Sequence, residues 1–414
     1  MTQTQQTQTS QTPEAAPAPT HLRAPVPVQS RAERFTSTDV SEFPAVTGRE
    51  PMWKYTPVAR IQELITGELD GSPYVYDVSA ARGFSTLWVG RGDSRIGTAG
   101  LPEDRASANA WSAFEQALLI SISADLGADG SGERREITLT RSGLGSAPRA
   151  AHTVVEVAPG AHATLILQNS GAAHLTENVE FLLGKDADLT VVSLQEWDDD
   201  ALHVAAHFAR LAEGARLKHV AVTLGGGVVR LNPSAHLAGA RSDAELLGAY
   251  FADADQHLEQ QVYVHHDGPE TRSRVTYKGA LQGKGARTVW IGDVLIGPKA
   301  VGTDTYEQNR NLVLTEGARA DSVPNLEIET GDIVGAGHAS ATGRFDDEQL
   351  FYLQSRGIPE EEARRLVVRG FLAEIVQQIG SPALQERLQA KIEDELETTS
   401  VAAAEATASS GAEN

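Results

Sequence analysis

DSVPNLEIETGDIVGAGHASATGRFDDEQLFYLQSRGI, residues 321–358, is where this 414-residue chain changes character. Before it, short alternating apolar runs are separated by glycine turns, a strand signature. After it, apolar residues recur at helical spacing. At the junction one histidine, His338, stands among Gly335, Ala336, Gly337, Ala339 and Ser340. Asp346 then reads as an N-cap, because its carboxylate can accept the free N–H groups of a helix's first turn.

Upstream, from about Glu133 to Arg344, a weak repeat emerges. A turn ending in alanine precedes each alternating run: Gly160-Ala161, Asp186-Ala187, Gly214-Ala215, Gly239-Ala240, Gly285-Ala286 and Gly317-Ala318. Successive alanines are 26, 28, 25, 46 and 32 residues apart. One strand pattern per turn at such spacing predicts a solenoid of stacked strands, a parallel β-helix. A β-sandwich is the other architecture such strands could build.

Downstream, Asp346 to about Gln378 reads as helix, broken at Gly357-Ile358-Pro359. Ala363, Val367, Phe371, Ile375 and Ile379 form one apolar stripe. A further helix is expected over Pro382–Leu396. At the front, residues 31–132 read as an α/β region, with helical spacing over Pro57–Ile65 and Ala108–Leu119 and a strand at Tyr74–Val78. The domains expected are therefore a disordered tail (1–30), the α/β region (31–132), the β core (133–344), a helical domain (345–398) and a second disordered tail (399–414).

Composition narrows the function. The chain is 41% hydrophobic and 22% charged, which is globular, and its net charge of -21 offers nothing to nucleic acid or anionic membrane. It contains no cysteine. Disulfides and thiolate metal sites are thereby excluded, and so is an iron–sulfur cluster of the chain's own, since thiolates are the usual ligands. No run of about 18 apolar residues predicts a membrane helix, and the polar N-terminus does not read as a secretory signal. A cytoplasmic location is the expectation.

Among candidate groups, His338 is the one metal-competent side chain in a segment small enough for close approach. The competing reading is an ordinary surface-loop histidine. His265 and His266 are adjacent on a strand and point to opposite faces, so they do not share a metal. His203 and His207 lack the glutamate of a His-Glu-x-x-His motif. The loop 279–285 (GALQGKG) departs from the P-loop pattern, with three residues between Gly279 and Gly283 and glycine after the lysine. Asp198–Asp200 and Asp346-Asp347 read as solvated turn and helix-start charges. No catalytic constellation is present.

The 321–358 block resembles the SufB/SufD family of iron–sulfur cluster assembly proteins, and its SufD branch in particular. The resemblance is carried by Pro324-Asn325-Leu326-Glu327-Ile328, Gly337-His338-Ala339, Thr342-Gly343-Arg344, Asp346 to Leu353 and Ser355-Arg356-Gly357-Ile358. Weaker matches lie at Val275–Gly279, Asn309–Leu314 and Met52–Pro57. The resemblance implies a right-handed parallel β-helix that pairs with SufB, and C-terminal helices that dock the ATPase SufC. It implies a scaffold subunit, not an enzyme. It also implies that His338 contributes to a transient cluster shared with SufB. A cysteine frequent in the family two residues earlier is here Ala336, so only the histidine remains. Residues expected to meet SufC are Phe351, Tyr352, Arg356, Gly357, Ile358 and Phe371. Without SufB, the same edge could pair with a second copy of the chain. The alternative class is a secreted-type β-helix carbohydrate-active enzyme.

Overall fold

The computed structural model describes residues 34–79, 83–124, 135–344 and 347–410. The expected disordered tail 1–30 and the N-cap Asp346 lie outside them. Three short N-terminal strands, β1 (Asp77–Ser79), β2 (Phe84–Gly90) and β3 (Gln116–Ile122), precede a long series. It runs β4 (Arg135–Ser142), β5 (Gly145–Val157), β6 (His162–Gly171), β7 (Ala173–Leu183), β8 (Asp188–Trp197), β9 (Leu202–Leu211) and β10 (Arg216–Thr223). It continues with β11 (Val228–Leu237), β12 (Asp243–Ala252), β13 (His257–His266), β14 (Arg272–Leu281), β15 (Arg287–Ile296), β16 (Thr303–Val313), β17 (Arg319–Ile328) and β18 (Ile333–Arg344). The helices are α1 (Gln62–Thr66), α2 (Arg105–Ala113), α3 (Asp347–Gln354), α4 (Glu360–Val376) and α5 (Pro382–Ser410).

From β3 onward consecutive strands alternate between two sheets of nine strands, ordered β17-β15-β13-β11-β9-β7-β5-β3-β2 and β1-β4-β6-β8-β10-β12-β14-β16-β18. Neighbours from β3 to β18 pair in parallel. The chain is therefore a parallel β-solenoid with two strands to each coil, as the repeat predicts.

The turn-alanine repeat holds, with one correction. Ala161, Ala187, Ala215 and Ala240 stand in one column of corners, leading from the odd sheet to the even one. Ala286 and Ala318 stand in the opposite column, which is why the spacing jumps at 46. Left-handed backbone falls on Gly160 (φ 68°), Asp186 (56°) and Gly214 (66°). At the next corner it moves from Gly239 to Arg241 (59°), because the 238–242 turn is one residue longer than 212–215.

Both sheet faces are covered, so central strands are buried along nearly their whole length. Between the sheets lies one continuous core containing Leu165, Leu189, Leu217, Leu246, Val275 and Trp290. Glycines make room there for aromatic rings: a Cβ on Gly279 would come within 1.9 Å of the Tyr250 ring, and one on Gly248 within 2.1 Å of the Tyr277 ring. The outer face of the even sheet packs against α4 and α5 through Val192, Val220, Leu247 and Phe251. On α4 and the turn after it the fully buried positions are Ala363, Val368, Leu372, Ile375, Val376 and Ile379. Val367 and Phe371 of the expected stripe are only half-buried. A strict four-residue spacing drifts around a 3.6-residue helix.

The outer face of the odd sheet carries the N-terminal segment, where Trp53, Ile61, Leu64 and Ile65 meet Leu202, Val204 and Val228. Three sequence expectations change. The helix expected over Ala108–Leu119 ends at Ala113, and Leu118 belongs to β3, whose β-branched and leucine run pairs with β5. The strand expected at Tyr74–Val78 is the shorter β1. The tail expected to be disordered from residue 399 continues α5 as far as Ser410, in keeping with the strong helix propensity of its alanine-rich run.

Candidate functional site

At its C-terminal end each sheet finishes on an edge strand, β17 in one and β18 in the other, with no neighbour on the outer side among the described residues. Their outer rows of N–H and C=O groups form an edge on which another strand can add. The small residues keep this edge accessible. A Cβ on Gly335 would meet nothing within 4 Å, whereas Gly337 leaves room for the Tyr306 ring beside it. Val334 is 76% exposed, and Ile328 and Tyr306 are exposed nearby.

His338 lies on β18 directly opposite Glu307 on β16. Its side chain is 44% exposed, and its Nδ1 is 4.0 Å from Glu307 Oε1. Glu307 itself is 1% exposed and faces the space between the sheets. Neither of its carboxyl oxygens has a hydrogen-bond partner among the described residues. Its pKa is pushed up to about 8, chiefly by burial and further by the charge of Asp293, with the Asn325 N–H pulling it partly back.

Asp293 lies on β15, where Arg34 Nη2 donates to it at 2.8 Å and Asn325 Nδ2 at 2.7 Å. Arg34 also stacks 3.6 Å above the Tyr263 ring. This cluster ties the N-terminal segment to the last coils. A recess of about 860 Å³ at this end is lined by Tyr263, Asp293, Asn325, Leu326, Glu327 and His338 among others. No group of three or more histidine or acidic side chains among the described residues is placed to hold a metal ion. His338 and Glu307 make half a donor set at most.

The helical candidates divide into two groups. Phe351 (72% exposed) and Tyr352 (55%) stand out on α3. Arg356 stacks 4.5 Å from the Tyr352 ring, and Gly357 follows at φ 85°, where the helix closes with its N–H donating to the Gln354 carbonyl. Ile358 is half-buried, against the cluster of Leu350 and Ala363 that also holds Leu312 and Leu314. Phe371 is half-buried under Lys278, whose Nζ is 4.7 Å from its ring and is paired with Glu374. The first four form an exposed patch; Ile358 and Phe371 also pack within the chain.

The family profile described as the SufBD core domain of the SUF system for FeS cluster assembly matches residues 140–371, over half the chain. The chain belongs to the SufBD family. An iron–sulfur cluster assembly SufBD family protein of Mycobacterium bovis is 50% identical over 378 residues, 89% of this chain and 94% of its own length. One from Mycobacterium leprae is 48% identical over 377 residues, with 89% and 95% covered. The iron–sulfur cluster assembly protein SufD of Escherichia coli is 29% identical over 242 residues, 58% of this chain and 57% of its own. No helix among the described residues of this SufBD protein is long and apolar enough to cross a membrane.

Of the other histidines singled out in the sequence, His203, His207 and His266 are buried. His203 Nε2 lies 2.8 Å from Glu177, and its Nδ1 lies 3.0 Å from Gln195 and 3.2 Å from Trp197 Nε1. His207 Nδ1 lies 2.9 Å from His219 Nε2, and burial lowers the pKa of both, that of His219 to about 4. His266 is buried between Thr271 and Ser273, while His265 stacks on His236 on the opposite face. Segment 279–285 ends β14 and turns the corner towards β15, with Gly283 and Gly285 left-handed. Asp198–Asp200 occupy an exposed turn.

Sequence reading missed Glu307, Asp293 and Arg34. The available signal was parity: Thr305, Glu307, Asn309 and Asn311 alternate along β16 at buried positions, a polar face inside a core.

Proposed function

We propose that this SufBD protein is a non-catalytic, SufD-like subunit of the cluster-assembly scaffold. Its open β17/β18 end pairs with the β-helix of SufB, and its α3–α4 region docks SufC. The observation that carries this reading is the bare double edge with His338 at its mouth. The edge supplies backbone for strand addition, and the histidine supplies a donor where a partner's thiolates would meet it. A histidine can stand in for cysteine on iron. The cluster is cargo assembled at the joint: this chain contributes one nitrogen and SufB the sulfur ligands. SufC's nucleotide state would move the helical arms and shift the interface between two arrangements. The cytoplasm, where such an ATPase partner would be met, is the compartment this reading implies.

The test is a pull-down of the tagged chain from its host, analysed for SufB and SufC. Wild type should retain both. His338→Ala should retain both and lose cluster absorbance on reconstitution, whereas Phe351→Ala with Tyr352→Ala should lose SufC at unchanged thermal stability. Absence of SufB and SufC from the wild-type eluate under gentle conditions would contradict the assignment.

A further inference from the structure

Glu307 is the buried carboxyl of this interior whose oxygens accept no side-chain hydrogen bond among the described residues. Buried polar groups are almost always hydrogen-bonded, and its neighbours along β16 obey that rule. Thr305 Oγ1 pairs with Ser273 Oγ at 2.6 Å. Asn309 Nδ2 donates to the Tyr250 hydroxyl at 3.0 Å, and its Oδ1 accepts from Asn311 at 2.7 Å and Ser322 at 2.6 Å. Across the core Glu307 meets Gly292, which offers no side chain; a Cβ there would lie 2.4 Å from Glu307 Oε2. The cross-strand neighbour of the unpaired carboxyl is His338, with Nδ1 towards it.

We propose that Glu307 is a positioning residue for His338: its carboxyl receives the Nδ1–H of the imidazole, leaving Nε2 unprotonated and available to iron. The inference rests on the reading of His338 as a cluster ligand. A metal-binding histidine generally donates its other N–H to a carboxylate or carbonyl, which fixes both tautomer and ring orientation. The 4.0 Å separation must shorten by about 1 Å to become a hydrogen bond. A ring 44% exposed at an open edge has room to turn, and covering the edge would press it inward.

The test is the tautomer of His338 in the full-length chain labelled with ¹⁵N-histidine, with its ring signals identified by their loss in His338→Ala. Wild type should hold the Nδ1–H tautomer without any metal. Glu307→Ala should move His338 to the Nε2–H tautomer, and Glu307→Gln should restore Nδ1–H, because the amide oxygen still accepts. In parallel, Glu307→Ala should lower iron loading of the complex with SufB by about 10- to 100-fold, with Gln near wild type. An Nε2–H tautomer in wild type, or a Glu307→Ala spectrum identical to wild type in this signal, overturns the positioning role. Cluster formation unaffected by His338→Ala overturns the ligand reading instead, and the metal-free tautomer separates the two failures.

Discussion

The two ends of the solenoid are finished differently. At the first end β1 and β2 run antiparallel to β4 and β3 and are themselves the short, half-exposed last strands of their sheets. A buried charge cluster inside that end is paired. Arg141 grips both oxygens of Glu177 at 2.6 and 2.7 Å and donates to Asn169 at 2.9 Å, and His203 completes the carboxylate's shell. At the other end β17 and β18 are the last strands, in parallel register, and the carboxyl beneath them, Glu307, has no side-chain hydrogen-bond partner among the described residues, only the Asn325 N–H nearby. Two glutamates hold comparable places on inward faces of one fold, one satisfied and one not. A folded chain tolerates an unpaired buried carboxyl most readily where a later partner completes the surroundings. The β17/β18 end thus reads as half of a joint, while the first end differs in the antiparallel sense of its last strands and in the pairing of its buried carboxylate.

That contrast can be broken by mutation. The largest effect belongs to Arg141→Ala, which strands a buried carboxylate. It should cost about 3–5 kcal/mol in urea unfolding, whereas Glu307→Gln, which removes no existing pair, should fall within about 1 kcal/mol. Comparable losses at the two sites would erase the distinction.

Acid tests the middle of the solenoid next, at His219 on β10. The folded-state pKa of His219, about 4, lies below its ordinary 6.5, with burial the cause. Between these values the unfolded chain binds the proton and the folded one does not, so stability is present above pH 6.5 and falls as pH drops towards 4. The slope approaches about 1.4 kcal/mol per pH unit for this one group. His219→Gln should flatten the denaturation-midpoint profile in that window.

Smaller still are the glycines. Gly279→Ala drives a methyl into the Tyr250 ring and should cost about 1–3 kcal/mol. Gly335→Ala, with nothing within 4 Å, should leave the isolated chain's melting temperature unchanged.

Much of this fold was legible in the sequence because each coil needs a tight corner, and the corners kept a small residue where the backbone turns. The swap of corner columns at Ala286 was hidden, since both columns use the same Gly-Ala chemistry. Leu118 fell to strand because pairing with β5 outweighs a helical spacing only three residues long. Residues 399–410, expected as a tail, extend α5, since alanine-rich composition serves both disorder and helix. The position of His338 was visible through motif resemblance, but Glu307 was not. Its partner lies 31 residues away along the chain, and strand register alone brings the two together.

If the β17/β18 end is where SufB docks, amide hydrogen exchange of the chain, alone and mixed with SufB, will show it. Exchange along the outer edges of residues 319–344 should be fast in the free chain and strongly protected in the complex, with Asp77–Ser79 and Phe84–Gly90 at the other end unchanged. Protection confined to that other end, or to the helices with β17 and β18 still exchanging freely, would contradict it.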